Sequence, residues 1–222
     1  MIISTQKPLE EIKASVAPYH KLAIIGCGGC AAVCQAGGTK QVEELARALG
    51  DKEIVFTIQI DEPCDQRILA RELRRVSDRL EKVDAVLMLA CGTGVQVLAS
   101  AVDRPCLTGL DTVFPGTVIH SNNYVEVCSA CGECILNLTA AICPRTLCPK
   151  SIINGPCSEK LNDKCSVDSE SDCVWITITD RVESLGVSGT GPEFSPMDWA
   201  KRTAPRTIPD RKSSIRKAEG ER

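Results

Sequence analysis

The fold is decided by the stretch Lys21-Leu-Ala-Ile-Ile-Gly-Cys-Gly-Gly-Cys30, in which a short apolar run meets a glycine-rich turn. The apolar run predicts a buried β-strand, and the glycines allow the chain to turn tightly after it. Beyond the turn, apolar residues recur with the period of a helix that ends at Gly50; they are Val42, Leu45, Ala46 and Leu49. The stretch therefore predicts a strand–turn–helix unit.

This unit repeats further along the chain. Further strands are predicted at Glu53–Ile60, Asp84–Ala90 and Pro105–Thr112. The helix after the second strand has an apolar face made of Leu69, Leu73, Val76 and Leu80. Strands that alternate with amphipathic helices predict an α/β fold with a small doubly wound parallel sheet over residues 1–119. Residues 1–20 are predicted to be a lead-in to this domain.

Cysteines stand near the carboxyl ends of three predicted strands. Cys27, Cys64 and Cys91 each lie within four residues of a strand end. In an open parallel sheet these ends share one edge, where ligands bind in a crevice. The first turn adds thiols in the pattern Cys27-x2-Cys30-x3-Cys34. These three thiols, completed by Cys91 or by Cys64, predict a four-thiolate cluster at the sheet edge; Cys64 is otherwise a neighbouring non-ligand.

Two other interpretations of the first turn stay open. Gly26–Ala31 matches the G-x-G-x-x-A variant of the dinucleotide-binding turn. Thiolates inside that turn would repel a pyrophosphate, which favours the cluster. A thiol-redox enzyme that uses Cys27 and Cys30 is the other alternative, but a dithiol motif leaves Cys34 and Cys91 at the same edge without a role.

A second cysteine-rich stretch lies between Val127 and Cys157. It opens with Cys128-x2-Cys131-x2-Cys134 and continues with Cys143-Pro, Cys148-Pro and Cys157. Thiolates two residues apart can reach a common metal from one tight loop, and three of them with a later Cys-Pro are typical of ferredoxin-type iron–sulfur sites. Here eight residues separate Cys134 from Cys143, so the likeness is to the local chemistry and not to a ferredoxin domain. Zinc is the main alternative and a disulfide knot the other.

This stretch predicts a metal-binding module over residues 120–185. Cys165 and Cys173 lie in a polar segment without a CxxC pair, and we expect them to be free or supportive rather than ligands. Val174–Thr179 alternates like a strand. Residues 186–222 are predicted to be a flexible basic tail, since residues 201–222 hold eight Lys or Arg and three Asp or Glu.

Composition narrows the classes of function. Fourteen cysteines in 222 residues are too many to be incidental. The sequence begins without a secretory signal and holds no apolar run of about twenty residues, so no membrane span is expected. A reducing, cytoplasmic location follows, where clustered thiols serve metals more often than disulfides. The basic tail lacks aromatic residues to stack on bases, so no nucleic-acid partner is expected.

Two groups of segments resemble one family. The first is Ile24–Gly38 with Leu89–Gln96, and the second is Cys128–Cys157, which ends in the sequence C-P-K-S-I-I-N-G-P-C. Over about residues 20–160 the sequence resembles the methylenetetrahydrofolate reductase C-terminal-domain family, the small cysteine-rich subunit of two-subunit methylenetetrahydrofolate reductases. In that family the large subunit is a TIM barrel that holds flavin and folate, and the small subunit carries iron–sulfur clusters or zinc.

The resemblance implies ligands for two metal centres. Cys27, Cys30, Cys34 and Cys91 would hold the first. Cys128, Cys131 and Cys134 would begin the second, with a fourth ligand among Cys143, Cys148 and Cys157. These six thiols exceed the four that one centre needs, which leaves a third site or a separate zinc site open.

The function expected from the resemblance is electron transfer. Two [4Fe-4S] clusters would relay electrons between an electron-donor protein and the flavin of the catalytic subunit, with zinc as the alternative at one site. The chain itself would not be catalytic, since its two histidines, His20 and His120, are expected to be structural or exposed. The alternative function is a zinc-stabilised scaffold or interaction subunit without a redox role.

Overall fold

The computed structural model describes residues 1–120, 122–159, 162–186, 194–202 and 206. The chain divides into two compact units, Met1–Ser129 and Ala130–Arg222. The predicted flexible tail, residues 186–222, lies mostly outside the described residues.

The first unit holds seven strands and six helices among its described residues. In chain order they are β1 (Ile2–Gln6), α1 (Leu9–Val16), β2 (Lys21–Cys27), α2 (Cys30–Val33), α3 (Thr39–Ala48), β3 (Glu53–Ile60), α4 (Gln66–Arg75), α5 (Ser77–Leu80), β4 (Ala85–Leu89), α6 (Gly92–Ala99), β5 (Cys106–Thr108), β6 (Leu110–His120) and β7 (Asn123–Glu126).

A four-stranded parallel sheet forms the centre of this unit. Its strand order is β3-β2-β4-β5, and each neighbouring pair runs parallel. All of β4 and all of β2 after Lys21 are buried, which is why both read as continuous apolar runs. The predicted faces of α3 and α4 pack on this core through Val42, Leu45, Leu69 and Leu73. The predicted α/β fold with a parallel sheet is confirmed.

The strand order places a switch point at the middle of the sheet. The chain leaves β2 to add β3 on one side and then returns to add β4 and β5 on the other. In such sheets the crevice for ligands opens between the carboxyl ends of the two strands at which the direction reverses. The ends of β2 and β4 therefore mark the expected site.

A second sheet, with the order β1-β6-β7, was not predicted. Both of its pairs are antiparallel, and Ile3 in β1 lies opposite Phe114 in β6. The predicted fourth strand divides at Gly109, so that β5 joins the parallel sheet and β6 joins this one. The sequence did not indicate these strands, because β1 is short and β6 contains Pro115 and Gly116, which signal turns.

One carboxylate fixes the start of the parallel sheet. Asp84, just before β4, accepts hydrogen bonds from the backbone N–H groups of Lys21 at 2.7 Å and His20 at 3.0 Å. These two bonds, the Lys21 bond more strongly, hold the pKa of Asp84 below its ordinary value. An acid with a depressed pKa stabilises the fold above its unfolded-state pKa and loses that contribution as the pH falls through the folded-state pKa.

We therefore expect Asp84→Ala to lower the urea midpoint at neutral pH. The difference from wild type should shrink as the pH falls below about 4, because protonation then removes the same interaction from the wild-type protein. Urea unfolding followed by circular dichroism across this range measures it, with the exposed Asp103→Ala as the control. A midpoint difference that stays constant with pH would show that the carboxylate charge has no part in the effect.

The described part of the second unit contains few regular elements. They are a 3₁₀ helix (Leu136–Leu138), α7 (Pro144–Leu147), α8 (Val174–Leu185) and a second 3₁₀ helix (Trp199–Arg202). The predicted strand at Val174–Thr179 is wrong, since this segment begins α8. Its alternating β-branched residues favour a strand locally, but Trp175, Ile178 and Val182 are buried at helical spacing. Packing therefore overrides the local preference.

No helix in the described ranges is both long enough and apolar enough to cross a bilayer.

Candidate metal centres

Four thiols of the first unit line one cavity. The cavity has a volume of about 190 Å³ and lies at the carboxyl ends of the parallel strands. Its cysteines are Cys27, Cys30, Cys64 and Cys91. Ile2 of β1 also lines it, so the unpredicted second sheet forms part of its wall.

The sheet places three of these thiols. Cys27 is the last residue of β2, and Cys91 follows β4 as the N-cap of α6. They therefore stand on the two strands at the switch point. Cys64 lies on the turn after β3, where Asp65 caps α4 by accepting the N–H of Arg67 at 2.8 Å. The topology thus brings together thiols that are up to 64 residues apart in the sequence.

The turn after β2 is held against the end of β4 by a close backbone contact. The N–H of Cys27 donates to the carbonyl oxygen of Gly37 at 2.9 Å. A Cβ atom at Gly37 would lie only 2.2 Å from the carbonyl oxygen of Leu89. Only glycine permits this approach, so Gly37 helps to fix the positions of both Cys27 and Cys91.

Cys27 lies in a dry environment with backbone donors close to its sulfur. The residue is 7% exposed. Burial raises the pKa of the Cys27 thiol, and hydrogen bonds from the backbones of Ala31 and Gly29 oppose that rise, while Cys91 and Cys30 raise it further through charge repulsion. Burial and N–H donors around a sulfur are features that adjust the properties of an iron–sulfur centre when one is bound.

The positions of Cys64 and Cys34 differ from the ligand set that the resemblance implies, in which Cys34 is a ligand and Cys64 is only an alternative. Cys64 lines the cavity, and desolvation there raises the pKa of its thiol although the residue as a whole is exposed. Cys34 is not among the described residues that line the cavity, and its sulfur lies 3.7 Å from the carbonyl oxygen of Ile2. The cavity thus contains the alternative ligand, Cys64, in place of Cys34.

The geometry of the glycine turn disfavours a phosphate. A Cβ atom at Gly28 would lie 2.0 Å from a carboxylate oxygen of Asp61. That carboxylate therefore stands against the turn that would have to hold a pyrophosphate, and it would repel one. The helix that follows, α2, has only four residues.

The motif of the second predicted centre runs across the division between the units. Cys128 is in the first unit, and Cys131 and Cys134 are in the second. Within the second unit, Arg145 approaches Cys131, with its guanidinium nitrogen 3.4 Å from the sulfur. Arg145 follows Cys143 by two residues in α7, so it links the Cys131 loop to the Cys143-Pro segment.

Arg145 is a buried cation that requires a negative partner. Its side chain is 9% exposed, and its Nε atom has no hydrogen-bond partner among the described residues. Glu133 supplies a carboxylate at 3.6 Å and also accepts a hydrogen bond through its carbonyl oxygen. Burial alone would raise the pKa of Cys131, but the Glu133 backbone and the Arg145 guanidinium hold it below its ordinary value. Nothing in the sequence distinguishes this arginine from a surface residue.

The remaining thiols of the second module form another group. Cys148 and Cys157 line a cavity of the second unit together with Cys165 and Cys173. The structure therefore separates the six predicted thiols of this module, because Cys148 and Cys157 stand with two cysteines that were not expected to be ligands.

The thiols are of the right chemical type for metals, although they do not converge. All fourteen cysteines lie within the described residues, and none forms a disulfide. Among the residues that the structure describes, no three His, Cys, Asp or Glu side chains converge closely enough to hold a metal ion as they stand. His20 and His120 are both exposed, as expected. The cavity of the first unit thus offers four sulfur donors, which would have to turn toward one centre to hold a metal.

One comparison with known proteins gives a match to part of the chain. Residues 107–200 match the family model described as "Methylene-tetrahydrofolate reductase C terminal", which confirms the predicted resemblance for the cysteine-rich segment. The match spans less than half of the chain, and the segments Ile24–Gly38 and Leu89–Gln96 lie outside it. A search of curated proteins and a search of solved structures found no match.

Proposed function

We propose that this chain, whose residues 107–200 match the methylenetetrahydrofolate reductase C-terminal family, is the electron-transfer subunit of a methylenetetrahydrofolate reductase complex. It would carry two [4Fe-4S] clusters and pass electrons between an electron-donor protein and the flavin of a catalytic partner. The observation that carries the proposal is the group of four thiols around one cavity at the switch point of the parallel sheet.

The first centre takes its ligands from this cavity. Cys27, Cys30, Cys64 and Cys91 supply the four thiolates that a cubane cluster needs. We include Cys64 among these ligands and leave out Cys34, because Cys64 lines the cavity and Cys34 is not among the described residues that line it. The shell around Cys27 keeps water from the sulfur, and the backbone donors of Gly29 and Ala31 stabilise its charge.

The second centre takes Cys128, Cys131, Cys134 and Cys143. The first three follow the C-x2-C-x2-C motif, and we choose Cys143 as the fourth because Cys148 and Cys157 line a different cavity. Arg145 supports the choice of Cys131 as a ligand, because a buried guanidinium beside this sulfur stabilises thiolate charge. An iron–sulfur cluster, when bound, supplies one-electron transfer at a potential that burial and hydrogen bonds adjust.

The rest of the chain agrees with a relay rather than a catalyst. Folate reduction needs a flavin and a proton donor, and both histidines of this chain are exposed and line neither thiol cavity. The catalytic partner would supply the flavin and the folate site.

Anaerobic stopped-flow kinetics tests the function. The chain is reduced with dithionite, freed of excess reductant and mixed with the oxidised flavin-containing methylenetetrahydrofolate reductase subunit. We expect the flavin absorbance to bleach as the chain is reoxidised, and we expect Cys91→Ser protein to reduce the flavin at least about tenfold more slowly. A flavin that stays oxidised in contact with reduced wild-type chain would contradict the proposal.

A further inference from the structure

A cavity of about 90 Å³ in the second unit is lined by four cysteines, Cys148, Cys157, Cys165 and Cys173. The proposed electron-transfer centres use none of them. In the sequence they are separated by eight, seven and seven residues, and no two of them form a CxxC pair. That spacing explains why the sequence did not reveal them as one group.

Backbone contacts hold two of these cysteines at neighbouring positions. The segment 163–173 folds back on itself through an antiparallel bridge between Lys164 and Asp172. The N–H of Cys165 donates to the carbonyl oxygen of Ser171 at 3.0 Å, and the N–H of Cys173 donates to that of Asp163 at 2.8 Å. This small hairpin places Cys165 and Cys173 on the same side of the cavity wall.

The other two cysteines come from the loop that follows α7. Cys148 is the C-cap of α7, and Cys157 lies nine residues later. Trp175 anchors the loop between them, since its indole N–H donates to the carbonyl oxygen of Ile152 at 2.9 Å. The indole and Cys173 both belong to the start of α8, so one helix end holds both parts of the cavity in place.

Polar groups and a helix start lie around the thiols. Cys173 is the N-cap of the 12-residue helix α8. The N–H of Val167 donates to the sulfur of Cys165 at 3.4 Å. Lys150, whose ammonium group pairs with Glu159, also lines this cavity.

This unit also needs a source of stability beyond its apolar core. The hydrophobic cluster among its described residues contains five buried residues, Cys173, Val174, Trp175, Ile178 and Val182. Between Ala130 and Cys173 the described chain forms a 3₁₀ turn, the four-residue α7 and the single bridge between Lys164 and Asp172, and no longer element. Small modules with so little core are commonly held together by a metal or by disulfides, and these cysteines form no disulfide.

We propose that Cys148, Cys157, Cys165 and Cys173 form a structural zinc site that holds the second unit together. Four thiolates are a common donor set for structural zinc, and the ion would contribute folding energy without redox chemistry. Ligation requires the four side chains to turn toward a common centre, since they line the cavity without converging. The inference goes beyond the proposed electron transfer and does not rest on it.

The test uses the full-length chain, purified anaerobically. We expect about one zinc per chain, and zinc K-edge X-ray absorption should show four sulfur ligands at about 2.3 Å. Cys165→Ser and Cys173→Ser should each reduce the zinc content to near zero and leave the iron content unchanged. Cys106→Ser is the matched control, because Cys106 is a half-buried cysteine that lines neither thiol cavity, and it should keep its zinc.

The following results would overturn the inference. Wild-type protein without zinc, or zinc that survives both substitutions, would exclude a zinc site at these residues. A loss of iron with the substitutions would assign the four thiols to an iron–sulfur cluster instead. If both variants fail to fold, the zinc K-edge X-ray absorption spectrum of the wild-type protein still decides, since nitrogen or oxygen ligands on zinc would contradict a four-cysteine site. The iron content reports separately on the proposed electron-transfer function.

Discussion

Cys64→Ser is expected to cost the chain one of its two proposed iron–sulfur clusters, whereas Cys34→Ser is expected to leave both in place. Cys64 lines the cavity with Cys27, Cys30 and Cys91, while the sulfur of Cys34 lies against the carbonyl oxygen of Ile2. Removing one of four thiolates leaves an iron without its ligand. The iron content should fall from about eight to about four per chain in the Cys64 variant and stay near eight in the Cys34 variant.

Iron and acid-labile sulfide analysis of anaerobically purified proteins measures this difference. Cys106→Ser controls for the loss of a cysteine as such, because it lies outside both thiol cavities. Circular dichroism shows whether each variant keeps its fold. The opposite pattern, with iron lost from the Cys34 variant and kept by the Cys64 variant, would contradict the ligand set and restore the four cysteines that the family resemblance implies.

Trp175→Ala is expected to destabilise the second unit by about 3–5 kcal/mol. Trp175 is 5% exposed, packs closely on Gly155 and lies 6.3 Å from the ring of Phe194. Its removal opens a cavity in a cluster of only five buried residues and leaves the carbonyl oxygen of Ile152 without its donor. Hydrogen exchange of the α8 amides should accelerate by at least about a hundredfold, since each 1.4 kcal/mol corresponds to a factor of ten.

The second tryptophan provides a matched control. Trp199 is 67% exposed, and Trp199→Ala should change exchange in α8 by less than about threefold. Trp175→Phe keeps much of the apolar volume but loses the indole donor, so its effect should lie between those of the two alanine variants. Amides of β2 and β4 serve as an internal reference in the first unit. Unchanged exchange in α8 of Trp175→Ala would show that this residue does not hold the unit together.

The parallel sheet was largely predictable because β2, β3 and β4 each carry a signal in the sequence. Residues 22–25 and 85–90 are continuous apolar runs, and the helices between strands repeat apolar residues at helical spacing. The antiparallel sheet was not predictable in this way. In this sheet β1 pairs with β6, so that Ile3 lies opposite Phe114. No local sequence pattern indicates a contact between residues so far apart along the chain.

The sequence predicted the edge of the parallel sheet at which the candidate site lies, but not which cysteines line the cavity there. The carboxyl ends of parallel strands share one edge, so the sequence placed Cys27, Cys64 and Cys91 at the same sheet edge. It could not show that Cys34 turns toward Ile2 while Cys64 lines the cavity, because that depends on side-chain directions at the edge.

The second unit was the least predictable part, for a physical reason. Its shape depends on loop contacts such as the bridge between Lys164 and Asp172 and the indole bond to Ile152. None of these has a periodic signature, so Cys165 and Cys173 looked like isolated polar-loop cysteines. Trp175 likewise began an alternating stretch that favours a strand, and only its burial beside Ile178 accounts for the helix.

The most direct test of the account is the metal content and the visible spectrum of the chain purified without oxygen. We expect about eight iron and eight sulfide per chain, with a broad absorption band near 400 nm that dithionite bleaches. We also expect about one zinc per chain, which dithionite does not change. Protein with zinc but neither iron nor a reducible band would contradict the electron-transfer role and support a zinc-stabilised scaffold.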